Sequence, residues 1–430
     1  VAVAEVVINA QPAAPMTKET EDNRMKRDGQ QATLEGATYD SEKQSMMRQP
    51  IAVWATALAC VFAFMGIGLV DPILPAIAEN LDAGPSEVSL LFTSYFAVTA
   101  VMMLVTGAVS SRIGGKRTLL IGLALIVAFA GLAGTSNSVG ALVGFRAGWG
   151  LGNALFVATA LAVIVSVATG GRAVAVILYE AALGLGMATG PLLGALLGGM
   201  NWRGPFFGTA ILMFIALVVL IIKLPATPPP AEKTSLGAPL KALSHKGLFG
   251  VSFSALFYNF GFFTVLAYTP FILGFGEYGI GAVFFGWGCA LAVFSVFIAP
   301  IIQNRIGAVN TTVITLVGLL VIYLLLGIFH DTTWLVVTLV IISGALLGIN
   351  NTMYTEMAMS VSDAPQPVAS AGYNFVRWMG GVIAPFAATK MGEHFGVGVP
   401  YYVATVVAVL AVAVMLVSRN HVEAHGPGVV

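Results

Sequence analysis

Charge is what this sequence has least of. Only 9 % of its 430 residues are Asp, Glu, Lys or Arg, against about 25 % in a soluble globular protein. Hydrophobic residues make up 58 %. A water-soluble fold of that composition could not cover its surface with polar groups, so lipid must serve as solvent. Cysteine is nearly absent. Cys60 and Cys289 both stand inside apolar runs, which excludes a disulfide framework and a thiolate metal site and leaves two small hydrophobes. The five histidines (His245, His330, His394, His421 and His425) fall in polar segments or tails. No H-E-x-x-H, phosphate-binding glycine loop or nucleophile elbow occurs. The sequence therefore offers no catalytic set, no metal site and no motor of its own, and neither enzyme activity nor a cofactor is expected. The formal net charge is zero, which gives no reason to expect nucleic acid as a partner.

What is present is a series of long apolar runs. A helix needs about 20 apolar residues to cross the hydrocarbon layer. Such runs occupy 51–78, 87–110, 117–136, 139–168, 172–199 and 205–223, then 247–273, 280–302, 308–329, 334–361, 366–391 and 398–418. The expected domains are a disordered cytoplasmic N-terminal tail at 1–50, a six-helix bundle at 51–223 and a cytoplasmic linker at 224–246. A second six-helix bundle at 247–418 and a cytoplasmic tail at 419–430 complete the chain. Basic residues sort to one side: Arg112, Lys116, Arg117, Arg172, Lys233, Lys241, Lys246, Arg305 and Arg419. Glu79, Asp82, Glu87, Glu277 and Asp331 sort to the other. The positive-inside rule then puts both termini and the linker in the cytoplasm.

The two sets of six repeat weakly. Val70-Asp71-Pro72 in the first run matches Tyr268-Thr269-Pro270 in the seventh. Ser111-Arg112-Ile113-Gly114 recurs as Asn304-Arg305-Ile306-Gly307. Glu180 stands eleven residues before Pro191, as Asn374 does before Pro385. Three matches at corresponding places around a hydrophilic linker favour duplicated halves, a known transporter plan.

Four motifs carry a resemblance to the major facilitator superfamily over residues 51–418. Gly107-Ala-Val-Ser-Ser-Arg112-Ile-Gly114-Gly-Lys116-Arg117 resembles that family's G-x-x-x-D-R-x-G-R-[RK] loop. Ser111 replaces the usual Asp, and Gly115 the frequent Arg, so the carboxylate of the family's latch is missing. Arg112, Lys116 and Arg117 serve equally as topogenic charges. Arg146-Ala-Gly-Trp-Gly150-Leu-Gly152 is similar to the R-x-x-x-G-x-G of the fourth helix. Gly186-Met-Ala-Thr-Gly190-Pro191-Leu-Leu-Gly194 resembles the antiporter motif of the fifth. Gly66-Ile-Gly68-Leu-Val-Asp71-Pro72-Ile-Leu-Pro75 is like the first helix's D-x-x-x-P pattern. A fainter likeness, in Asn350 to Glu356 and Ala369 to Arg377, is to bacillibactin-exporter-like and multidrug exporters.

The resemblance implies an all-α polytopic membrane protein, with twelve helices in two pseudo-symmetric six-helix bundles. It also implies a proton-coupled exporter of a small amphiphilic compound in a bacterial cytoplasmic (inner) membrane. The expected partners are a small-molecule substrate, protons and the lipid bilayer, with a monomer as the working unit. An importer of a small organic solute, proton-coupled or passive, is the alternative. An ionisable side chain within a membrane helix is costly and marks function or a static helix contact. Asp71 or Glu180 is expected to carry the coupling proton, with Arg146 favouring the ionised form. The expected cavity residues are Phe64, Phe156, Tyr258, Asn259, Asn350, Asn351, Tyr354, Glu356, Asn374 and Arg377. Gly107, Arg112, Gly114, Lys116, Arg117, Gly186, Gly190, Pro191 and Gly194 are expected to gate or to pack the moving helices.

Overall fold

Helices follow from the lipid setting, because no backbone N–H or C=O can be left unpaired in hydrocarbon. A computed structural model describes residues 49–169, 171–227, 229 and 233–424, the side chains of 171–174, 176, 177 and 180 excepted. The tail expected at 1–50 lies, but for its last two residues, outside the described part. Twelve helices cross: α1 Ile51–Asn80, α2 Pro85–Ile113, α3 Gly115–Gly134, α4 Val139–Val167, α5 Gly171–Gly198 and α6 Gly204–Lys223. The second six are α7 Lys246–Ile272, α8 Glu277–Ile306, α9 Ala308–Ile328, α10 Thr333–Ser360, α11 Gln366–Phe395 and α12 Val399–Glu423. Among the described residues, eleven of them are long and apolar enough to cross a membrane. The other is α11, which carries Arg377, Lys390, Glu393 and His394. With twelve crossings, Ile51, the linker and Glu423 share one end, called here the linker end. The opposite end is the far end.

The pairings of the first six helices recur in the last six. The pairs α1–α5, α2–α4, α3–α4 and α3–α6 have counterparts in α7–α11, α8–α10, α9–α10 and α9–α12. The halves meet along α2–α11 and α5–α8. The repeated loop motif has a repeated backbone: Gly114 has φ +89° and Gly307 φ +82°. Large apolar side chains left exposed gather on the outer helices, including Ile211, Phe214 and Ile222 on α6, Ile314 and Val321 on α9, and Val406 and Val417 on α12. These are the surfaces that face acyl chains.

Two helices are broken along their length. In α1 the regular run ends at Gly68, and a 3₁₀ turn at Asp71–Ile73 precedes a second segment, Leu74–Asn80. Pro72 and Pro75 supply the reason, since each lacks an N–H to donate. In α8 a wide π turn spans Phe294–Ile298. There Ser295 and Thr352 of α10 share a 2.7 Å hydroxyl contact, and Thr352 Oγ1 donates to the Ser295 carbonyl at 3.2 Å. The linker contains a short helix, Ala238–Ala242, packed on the start of α11. The C-terminal tail expected from 419 is helical as far as Glu423.

Candidate functional site

A cavity of about 530 Å³ runs between the halves from mid-depth to the linker end. Its walls are stripes at helical spacing. They include Val157, Leu161 and Val165 on α4, Tyr179, Leu183 and Met187 on α5, Asn351, Thr355 and Met359 on α10, and Gln366, Ser370 and Asn374 on α11. Residues four apart share a helix face, so each helix presents one stripe. Phe64, Ile67 and Met103 add to the apolar wall, and Asn259, Arg377 and Trp378 to the polar one. Volumes of this order suit a drug-sized ligand.

The roof is aromatic and joins the halves. Phe96 of α2 stacks on Trp378 of α11 with centroids 5.1 Å apart and planes 12° apart. It meets Phe263 of α7 at 4.4 Å. Nearer the far end, Thr93 Oγ1 donates to the Val382 carbonyl at 2.9 Å. The Ser86 N–H, in the first turn of α2, donates to Glu393 Oε1 at 2.8 Å. A carboxylate at a helix N-terminus is favoured by the helix dipole. This arrangement holds the far end shut.

Beyond the roof, within the first half, lie two charged groups. Asp71 and Arg146 are fully buried. Neither carboxyl oxygen of Asp71 has a hydrogen-bond partner among the described residues, nor do Nε and Nη2 of Arg146. Arg146 Nη1 donates to the Gly66 carbonyl at 3.4 Å. Its guanidinium lies 4.5 Å from the ring centroids of both Tyr95 and Trp149, a favourable place for a cation. Arg146 therefore points inward and does not snorkel to the far surface.

Of the residues expected to line the cavity, Phe64, Asn259, Asn351, Asn374 and Arg377 do so. Five others lie off its wall. Phe156 is buried where α4 meets α3, its backbone against Gly122. Tyr258 donates to the Leu347 carbonyl at 2.7 Å, and Tyr354 shares a 2.6 Å contact with Ser254, so both serve the α7–α10 seam. Asn350 accepts from Thr315 of α9 at 3.1 Å and donates to its own helix. Glu356 accepts from Gln303 of α8. The last four each have a polar partner on a neighbouring helix, which removes the reason to face a cavity. Asp71 and Arg146 are likewise off the wall. The side chain of Glu180 lies outside the described residues. Sequence reading missed Trp378, Phe262, Phe263, Gln366 and Ser370. The four-residue spacing of Asn259 to Phe263 and of Ser370 to Asn374 and Trp378 was the available signal.

The loop motif has a structural answer to its missing carboxylate. Ser111 Oγ accepts from the Thr234 N–H of the linker at 3.1 Å. The Lys116 N–H donates to Thr227 Oγ1 at 2.5 Å, and Lys116 Nζ donates to the Ile221 and Leu224 carbonyls at the end of α6. Gly107 lies on the cavity wall near Thr234. Arg112 and Arg117 are exposed. The glycines of α5 press on the backbone of α1. A Cβ at Gly186 would stand 2.6 Å from the Val61 carbonyl oxygen, and one at Gly190 2.6 Å from that of Met65. At Gly194 it would strike the Leu69 carbonyl. Pro191 abuts Gly68 at the break in α1.

A family model described as the Major Facilitator Superfamily matches residues 56–385. The chain belongs to this superfamily. It is 50 % identical over 388 residues to the multidrug efflux protein YfmO of Bacillus subtilis (strain 168), covering 90 % of this chain and 98 % of the relative. It is 31 % identical over 175 residues to the tetracenomycin C resistance and export protein of Streptomyces glaucescens, covering 39 % of this chain and 32 % of that one. A crystal structure of a bacterial homolog of the human lysosomal transporter Spinster, inward-facing and unoccupied, superposes with a TM-score of 0.69 at 16 % identity. That likeness covers 88 % of this chain and 98 % of the other, and it concerns the fold. The chain is thus a membrane transporter of the major facilitator type, acting on small molecules.

Proposed function

We propose that this transporter expels a small amphiphilic organic compound from a bacterial cell by proton antiport and alternating access. The linker end and both termini face the cytoplasm, following the sorting of basic residues. The substrate enters the cavity from the linker end, and the far end opens in turn to release it. The name of the full-length relative, a multidrug efflux protein, supports the outward direction.

The observation that carries the proton step is Asp71. It is a fully buried carboxyl with no hydrogen-bond partner among the described residues, set on the break in α1. An ionised carboxylate in that place is costly without compensation. Binding a proton removes the cost, so proton occupancy and the shape of α1 bias one another. Arg146 favours the deprotonated form by charge. Because Asp71 lies off the cavity wall, coupling runs through movement of α1, whose Phe64 and Ile67 touch the cavity. The protein is read as working as a monomer.

The test uses inverted membrane vesicles acidified inside, with and without a panel of amphiphilic dyes. Dye accumulation together with dye-dependent proton release is expected of the wild type. Asp71→Asn should abolish both. Dye movement that persists without a pH gradient would favour a facilitator instead, and full coupling in Asp71→Asn would remove Asp71 from the proton step.

A further inference from the structure

The two walls of the cavity differ in chemistry. From α1, α2, α4 and α5 the wall is Phe64, Ile67, Met103, Leu161, Leu183 and Met187 with their small neighbours, and Tyr179 brings the one polar side chain among those described. From α7, α10 and α11 it carries Asn259, Asn351, Thr355, Ser370, Asn374 and Arg377. Polarity is therefore divided between the halves. Among the described side chains on the wall, Arg377 is the one that bears a charge.

Arg377 is held in place by neutral groups. Its Nη2 donates to Asn351 Oδ1, and Nη1 donates to Tyr373 Oη at 3.4 Å. Its guanidinium carbon lies 5.3 Å from the Trp378 ring centroid. The Arg377 carbonyl accepts from Asn259 Nδ2 at 3.0 Å, which fixes the backbone. A guanidinium has five donors in a planar fork. Two are engaged here, and neither acceptor cancels the charge. Among the described side chains the charge on the cavity wall is therefore positive, in a space walled on the other side by hydrocarbon.

We infer that the transported compound is an organic anion, an amphiphile whose carboxylate, sulfonate or similar acidic head docks at Arg377 while its apolar body lies on the wall of α1, α4 and α5. This rests on the efflux reading of the cavity and gives its substrate class. The head gains charge-assisted hydrogen bonds, stronger than neutral ones. It also relieves a cation that has no described counter-ion. A cationic amphiphile of the same shape meets repulsion in the same place.

The test compares three compounds sharing one naphthyl body: a carboxylate, its primary amide and a trimethylammonium analogue. Binding to the purified full chain is measured by titration, and uptake is measured in inverted vesicles. The carboxylate should bind about tenfold or more tighter than the amide, as expected for a charge-assisted contact, and the ammonium compound weakest. Arg377→Gln should erase the carboxylate's advantage over the amide, as expected where only neutral contacts persist. Arg377→Lys should keep part of the preference, which separates loss of charge from loss of fold. Equal or tighter binding of the ammonium compound overturns the inference, as does a carboxylate preference that survives Arg377→Gln. If vesicles move the ammonium compound and not the carboxylate, the anion assignment falls while efflux stands. If none of the three binds or moves, both readings fall.

Discussion

Replacing Gly190 by alanine tests the close seam between α1 and α5. A Cβ there would stand 2.6 Å from the Met65 carbonyl oxygen and 3.3 Å from both Gly68 C and Leu69 N. Ordinary contact begins at 3.4 Å, so α1 and α5 must part by about 0.8 Å or the new methyl must be strained. The obstacle is backbone, which cannot rotate away as a side chain can. Overpacking of this kind costs roughly 1–3 kcal/mol. Against it stands the helix preference for Ala over Gly, about 1 kcal/mol. The net expectation is a loss of about 0–2 kcal/mol by these two figures, with transport lost more severely because the seam adjoins the Asp71 turn. The control is Gly144→Ala in α4, where nothing lies within 4 Å of the new methyl. There only the propensity gain of up to about 1 kcal/mol applies. Thermal denaturation of the detergent-solubilised proteins, with vesicle transport in parallel, reads both effects. The variants should move in opposite directions. Gly190→Ala matching Gly144→Ala in stability, with full transport, would refute the close α1–α5 approach.

Two further outcomes follow from the loops and the far end. Gly114→Ala places a side chain at φ +89°, where the backbone cost is about 1–3 kcal/mol, and puts its Cβ 2.5 Å from the Thr227 carbonyl oxygen. Gly307→Ala has the same backbone cost but open space around it, so denaturation midpoints should fall in both, further for Gly114→Ala. Glu393→Gln weakens the bond that closes α2 against α11. A helix-terminal charge is worth roughly 0.3–1 kcal/mol, so the far-end-open population should rise by about two- to fivefold, a maleimide reaction at Ser89→Cys reporting it by a matching increase in rate. An unchanged rate would mean that Glu393 does not hold that end.

The spans were legible because lipid imposes a length of apolar chain that water-soluble folds rarely carry. α11 was found despite its Arg377, Lys390 and Glu393, since the run between them stays apolar. The cavity was legible where polarity marked it. Asn259, Asn351, Asn374 and Arg377 had to face something other than lipid, and they face the cavity. That argument fails for Asn350, because neighbouring residues on a helix point about 100° apart and Asn350 meets Thr315 instead. It gives no guidance for Phe156, Tyr258 or Tyr354. In a membrane protein both the interior and the surroundings are apolar, so an aromatic ring carries no sign of which way it turns. The short linker helix was hidden for a similar reason: five residues, Ala238–Ala242, have no period to read. Ser111 looked like the loss of a latch, and only the fold reveals that Thr234 takes its place as the partner across the loop.

The break in α1 and the proline inside α5 have a mechanical meaning. Pro191 sits against Gly68, just where the regular run of α1 gives way to its 3₁₀ turn. Each rod is therefore weakest at the same depth, and the weak points touch. Two rods scored at one level share a crease and fold as a sheet of card does, with the glycine seam on either side kept closed. A bend there tilts Phe64 and Ile67 on one side and swings Asp71 on the other. The chain thus places the cavity residues of α1 and the buried carboxyl of Asp71 on opposite sides of one fulcrum.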